Sequence, residues 1–204
     1  MATGQVSARQ AGRPREFDRA EALSSALGLF LRRGFVSASV TDLTQAMGIN
    51  RPSLYAAFGS KERLFKDALY LHARRHLHRL RKALAEPTAA AVAERLLRSA
   101  ATEPMLAGGV GGFMGLLSSL PDDLDLAPVR EEILAYQIVV MNALEDRFAD
   151  AQRMGEIGAD LHPAALAFLL EAMSHAISVR ARSGASAEDI DCLIKVALSA
   201  MGCG

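Results

Sequence analysis

Apolar residues recur three and four positions apart through most of the chain, and nowhere convincingly at the spacing of two that marks a half-buried strand. The pattern predicts an all-α protein of about nine helices. From Asp18, a capping residue with Glu21 three positions on, Ala20, Leu23, Leu27, Phe30 and Leu31 share one face of a helix that stops at Gly34. After Ser60 the apolar stripe runs through Phe65, Leu69, Leu77, Leu80 and Leu84 until Pro87 ends it. That helix has about 25 residues and approaches 40 Å in length at 1.5 Å per residue, enough to join two domains as a rigid lever. Five more helical segments follow near 88–102, 105–119, 128–154, 163–183 and 186–201, separated by Pro104, the loop from Pro121 to Pro128, Gly155 and Gly158, Pro163 and Gly184. The expected organisation is an arm over 1–14, a compact helical domain over 15–60, and a larger helical body over 61–204 that begins with the connecting helix 61–85.

The stretch from Ser39 to Phe65 has the most specific pattern. Ser39 caps a short helix, Val40 to Met47, in which Asp42 takes the third position of a capping box. Gly48 supplies the backbone freedom for a tight turn, and Asn50 caps a second short helix with Pro52 in its first turn, where a missing amide is harmless. Leu54 and Phe58, four apart, point that helix at a core and leave Arg51, Ser53, Tyr55 and Ala56 on its other faces. Such a face suits a major groove: arginine bonds guanine with two donors, serine is a flexible donor and acceptor, and alanine allows close approach. Ser60 then caps the long helix, and Lys61 adds a cation near its positive end, where a phosphate can bind. The whole reads as a helix-turn-helix aimed at double-stranded DNA.

The run AMGINRPSLYAAFGSKERLF, from Ala46 to Phe65, resembles the signature of the tetracycline-repressor (TetR) family of bacterial transcription regulators. The resemblance covers roughly the first third of the chain. It implies that Arg51, Pro52, Ser53, Tyr55 and Ala56 face DNA, that Thr41 lies near the groove, and that Ser39, Tyr55 and Lys61 hold phosphates. Leu43, Ala46, Gly48, Leu54 and Phe58 become scaffold. It also suggests that Arg13 and Arg15 belong to an arm reaching phosphate or the adjacent minor groove. One departure is Thr44, where many members carry alanine; its hydroxyl should bond back to its own helix, half-buried. Relatives with a similar C-terminal half often carry a Gly-Cys pair where this chain has Gly112 and Phe113, so thiol sensing does not carry over.

Charge sharpens the picture. The 204 residues are neutral overall, with 23 basic and 23 acidic side chains, but residues 1–82 hold 15 Lys or Arg against 6 Asp or Glu, leaving 8 against 17 for the rest. A basic front half suits attraction to polyphosphate and an acidic back half should point away from it. The apolar stretches are broken by charge within about a dozen residues and the N-terminus has no hydrophobic signal core, so a cytoplasmic protein without a membrane partner is expected. Cys192 and Cys203 resemble neither a disulfide framework nor a metal pair. His72 and His76 have metal-ligand spacing, yet arginines crowd them and no carboxylate or thiol accompanies them, so no metal or cofactor is expected.

In the C-terminal body, GGVGGFMGLL from Gly108 to Leu117 is poor in helix propensity and reads as a gate or wall of a cavity, or as close helix packing. Candidate effector-cavity residues are Met105, Phe113, Met114, Leu117, Tyr136, Met141 and Phe168, an adaptable lining suited to an apolar or aromatic small molecule. The last two segments present apolar stripes wide enough for both a core and a second subunit: Leu166, Leu169, Leu170, Met173, Ile177, Ile190, Leu193, Ile194, Ala197 and Leu198. In the TetR family the final two long helices pair with those of a second copy, which holds two reading helices about 34 to 36 Å apart, one DNA turn. The function expected is a homodimeric DNA-binding regulator, most simply a repressor released from a near-palindromic operator by a small effector. An architectural or partner-binding dimer without a ligand is the alternative. An enzyme with a DNA-binding head is disfavoured, because carboxylate pairs such as Glu131 and Glu132, or Glu145 and Asp146, diverge on a helix and lack a catalytic His or Ser.

Overall fold

The computed structural model describes residues 17–102 and 127–202, and they form eight helices and no strand. We label them α1 (Arg19–Ser37), α2 (Val40–Met47), α3 (Arg51–Phe58), α4 (Lys61–Leu84), α5 (Ala89–Thr102), α6 (Ala127–Arg153), α7 (Pro163–Arg182) and α8 (Ala187–Ala200). The expected segment 105–119, with Gly108 to Leu117, lies outside the described residues, as do Arg13, Arg15, Met105, Phe113, Met114, Leu117 and Cys203.

Local sequence explains where these helices start. The Asp18 carboxylate accepts from the Ala20 and Glu21 amides, at 2.7 and 3.3 Å, and fixes the first turn of α1. Gly34, at φ 75° and ψ 176°, breaks that helix as expected, but one further turn follows the kink and carries Phe35 into the core. Ala20, expected on the buried face, is exposed; Ala22 and Ala26 take that place beside Leu27, Phe30 and Leu31. At the far end Ser186 and Asp189 cap α8 reciprocally.

Two apolar cores result, and α4 belongs to both. The first gathers α1, α2, α3 and the first half of α4, where Leu64, Phe65, Ala68 and Leu69 are buried, together with Ile133 from α6. Phe65 sits edge-on to Phe30 and to Phe35, with ring centroids 4.9 and 5.0 Å apart, a favourable arrangement of ring quadrupoles. The second core takes Leu80 and Ala83 from the end of α4 and packs α5, α6, α7 and α8 around Leu97, Val140, Leu144, Phe148, Leu170 and Ile194. The first core thus extends past residue 60 and hands over to the second inside α4. Arg147 and Glu156 pin the second core's entrance: Glu156 accepts from the Ala89 amide at 2.6 Å and lies 3.5 Å from the Arg147 guanidinium.

Between the cores the buried stripe of α4 is interrupted by imidazoles. His72 and His76 follow Leu69 at helical spacing and precede Leu80, so they occupy positions where the stripe would otherwise be apolar. The His76 ring bonds the Tyr136 hydroxyl from α6, and Tyr70 donates to Glu132. Burial pushes His72 down to about 3 and His76 down to about 4, with Arg79 adding to both, and Arg75 and His76 adding for His72. Burial also raises the Glu171 carboxyl and the Tyr136 phenol. The junction is therefore polar and holds neutral imidazoles at pH 7.

Because the folded-state values of these histidines are depressed below the ordinary 6.5, the unfolded chain binds more protons as pH falls from about 6.5 toward 4, and stability is lost in that window. Between pH 7.5 and 5.0 the His72 contribution amounts to a loss of up to about 2 kcal/mol. Urea denaturation of the protein and of His72→Gln at both pH values should show a shallower pH dependence in the variant; equal slopes contradict the assignment.

Candidate nucleic-acid interface

The helix-turn-helix forms as its caps dictate. The Ser39 hydroxyl accepts from the Asp42 amide at 3.1 Å, while the Asp42 carboxylate takes the Ser39 hydroxyl proton at 2.6 Å and the Ser39 amide at 3.1 Å. These bonds, the Ser39 hydroxyl first, hold the Asp42 carboxyl below its ordinary range, and Arg33 contributes from α1 at 2.9 Å. Gly48 closes α2 in the left-handed region, φ 66°, and Asn50 accepts from the Ser53 amide at 2.8 Å to open α3 two residues later. Leu54 and Phe58 are fully buried and set the rotation of α3 about its own axis. Gly59 and Ser60 then turn the chain into α4, where Ser60 accepts from the Arg63 amide at 3.2 Å.

With Leu54 and Phe58 turned inward, Arg51, Pro52, Tyr55 and Ala56 are exposed and Ser53 is half-buried. The Arg51 guanidinium lies 5.8 Å from the Tyr55 ring centroid, so the largest outward groups of α3 lean on each other. With its side chains an α-helix is about 10–12 Å across, close to the width of the major groove. Thr41 is exposed on α2, one turn before an exposed Gln45, a group of hydrogen-bonding capacity that spacing from Thr41 would have flagged and that the reading of the sequence passed over. Arg33 was passed over as well; only its partner across the fold, Asp42, gives it meaning.

Two expected phosphate holders have prior engagements. The Ser39 hydroxyl is spent on its capping box, leaving exposed lone-pair capacity rather than a free donor. The Lys61 ammonium rests 4.4 Å from the centre of the Phe35 ring, half-buried, and burial lowers its pKa against the opposing effect of Glu62. Thr44 donates to the Thr41 carbonyl at 2.9 Å and is half-buried, as expected. Ala46, expected as scaffold, is exposed, because α2 needs only Leu43 and Met47 to seal its inner face.

The C-terminal candidates are redistributed. Leu166, Leu170, Ile177, Ile190, Ile194 and Ala197, expected at a subunit interface, are buried in the protomer's own second core, so little of their surface is left for another chain. Met173, Leu193 and Leu198 are half-buried against it. Phe168, expected in a cavity, is 69% exposed on the outer face of α7, because the inward stripe of that helix runs through Leu166, Ala167, Leu170 and Ile177 instead. Tyr136 and Met141 are half-buried at the second core, Tyr136 bonded to His76.

Comparisons with known proteins agree with this geometry. Residues 22–68 match the family model described as bacterial regulatory proteins, tetR family, a range nearly coincident with the first apolar core. The HTH-type transcriptional repressor BdcR of Escherichia coli (strain K12) is 53% identical over 58 residues, 28% of this chain but only 29% of that protein. The HTH-type transcriptional repressor ComR of Escherichia coli (strain K12) is 31% identical over 184 residues, 88% of this chain and 86% of that one. Among solved structures, a cysteine mutant of the TetR family transcriptional regulator CifR, complexed with 26 bp double-strand operator DNA, superposes with a TM-score of 0.72 at 31% identity, covering 93% of this chain and 99% of that one.

The cap at Asn50 is the cheapest element to test. Asn50→Ala should lower stability by about 1 kcal/mol in urea denaturation, whereas Asn50→Asp should fall within a few tenths of the parent. Equal losses in the two variants would mean that the side-chain cap is not what opens α3.

Proposed function

The chain belongs to the tetR family of bacterial regulatory proteins and is a DNA-binding transcriptional regulator, and from that premise we propose that it is a homodimeric repressor released from a near-palindromic operator by a small-molecule effector. The observation that carries the reading is the exposed face of α3, held outward by Leu54 and Phe58 and bounded by two side-chain caps. In this reading Arg51, Ser53, Tyr55 and Ala56 meet base edges and backbone in the major groove, with Pro52 shaping the helix entry. Thr41 approaches the groove, and Lys61 with the α4 amides flanks phosphates, joined by Ser39 once its hydroxyl proton turns from Asp42 to a phosphate oxygen. Arg13 and Arg15 serve as the arm.

Dimerisation is supported by what α7 leaves uncovered. This helix of 20 residues has a mean hydropathy of 1.3, apolar and long enough by composition to cross a membrane, yet only 28% of its central window is buried within one protomer. Its outer face carries Ala165, Phe168, Ala172 and Ala176 in helical succession, and α8 adds Val196, 59% exposed. Small residues around one large aromatic allow a second copy to approach closely, and the apolar surface gives it reason to. A cytoplasmic location and the absence of catalysis complete the reading. The architectural alternative differs only in lacking a ligand response.

Two variants separate sequence reading from backbone grip. Arg51→Ala should cost about 1 to 3 kcal/mol on the operator found by genome-wide footprinting and relax preference at one position, while Lys61→Ala should weaken all duplexes and reduce the salt slope by about one unit. Identical behaviour of both on operator and random DNA contradicts this division. For the interface, Phe168→Glu should convert the dimer to monomer in analytical ultracentrifugation while leaving the melting of the protomer's own core largely intact, since the side chain lies outside it. A dimer that survives this change places the interface elsewhere.

A further inference from the structure

The basic excess of the front half is not all at the reading head. Arg74, Arg75, Arg79, Arg81 and Lys82 lie 13 to 21 residues beyond Lys61 on α4. That is about 20 to 30 Å along the helix axis from its DNA-facing end, about two to four Debye lengths at physiological salt, where attraction to the same phosphates is largely screened. These residues line a cleft of about 950 Å³ between α4 and α5, and among the described residues no carboxylate lines it with them.

The cleft's charge is partly matched and partly not. Arg95 pairs with Glu86, and Arg98 with Glu94 at 2.7 Å and Asp191 at 3.1 Å, all carboxylates outside the cleft wall. Arg75 is held 3.0 Å from a neutral hydroxyl, Ser24 of α1. Arg74, Arg81 and Lys82 are exposed and make no ion pair among the described residues. The floor is apolar, from Leu71, Leu77 and Leu96, with the hydroxyls of Ser99 and Thr102 at one end. Cations on the rim over an apolar floor suit a compact organic anion better than a duplex, whose phosphates lie on a convex cylinder.

We propose that this cleft binds a small organic phosphate of nucleoside diphosphate size, its phosphoryl oxygens against Arg74, Arg81 and Lys82 and its organic part over Leu71, Leu77 and Leu96. For its regulatory meaning this rests on the effector reading above, since it names the ligand class of that effector. It is a different site from the cavity for which the sequence suggests an apolar or aromatic ligand, since none of those cavity residues lines this cleft. The mechanical logic is direct: α4 forms one wall, its N-terminal half belongs to the reading head's core, and a ligand that draws α5 toward α4 acts on the lever itself.

Isothermal titration of the DNA-free protein with inorganic pyrophosphate and with adenosine diphosphate tests the site. The expected result is salt-sensitive binding of both, tighter for adenosine diphosphate, weakened about tenfold or more in R74E/R81E and largely retained in R74K/R81K and in Arg51→Ala. Circular dichroism confirms that the double variant folds. Failure of the parent to bind either probe, or equal binding by R74E/R81E, overturns the site while leaving DNA recognition untouched. A loss of non-specific duplex binding in R74E/R81E as large as that in Lys61→Ala also overturns it, because the cleft would then be a groove for nucleic-acid backbone. Operator affinity measured with and without adenosine diphosphate separates the two levels: a decrease supports the effector reading, and no change removes that reading while the anion site stands.

Discussion

A single unbroken helix that must satisfy two hydrophobic cores is the constraint from which the rest of this structure follows. α4 gives Leu64, Phe65, Ala68 and Leu69 to one core and Leu80 and Ala83 to the other, with no glycine or proline between them to absorb a change of direction. Packed cores are bistable rather than elastic, so a displacement at one end of such a helix is carried to the other as a rigid tilt. Among the described residues α6 also touches the reading head, through Ile133 in its core and through Glu132, which accepts from Tyr70 of α4.

The middle of that helix is where the packing is least apolar. His72 and His76 replace what the stripe from Leu69 to Leu80 would otherwise fill with leucine, and His76 meets the Tyr136 hydroxyl instead of another hydrocarbon. A buried hydrogen bond depends more steeply on angle than a hydrocarbon contact does. This polar middle marks the natural boundary between the two cores and gives the lever a place where its environment, rather than its backbone, yields.

Much of the reading head was legible in the sequence because local chemistry determines it. Ser39 with Asp42, Gly48, Asn50 and Ser60 each act within three residues of their own position, and the structure realises every one of these caps. The body was less legible for a physical reason. α7 is apolar on nearly all sides, so periodicity alone could not decide whether Leu166 or Phe168 faces the core, and the assignment came out reversed. The charge count was correct but only part of that charge stands at the reading head, since a sum over residues 1–82 contains no information on which arginines stand near it and which stand a helix-length away. Exposure of Ala46 and the Arg33 link to Asp42 likewise depend on how helices cross, which no single helix records.

The resting place of Lys61 on the Phe35 ring has an entropic corollary. A long aliphatic ammonium side chain ordinarily surrenders rotamer freedom of about 2 kcal/mol when it is immobilised. Here the aromatic platform has already narrowed that freedom during folding, so the phosphate contact proposed for Lys61 would demand less further ordering, with tightness gained through stiffness and without any additional charge.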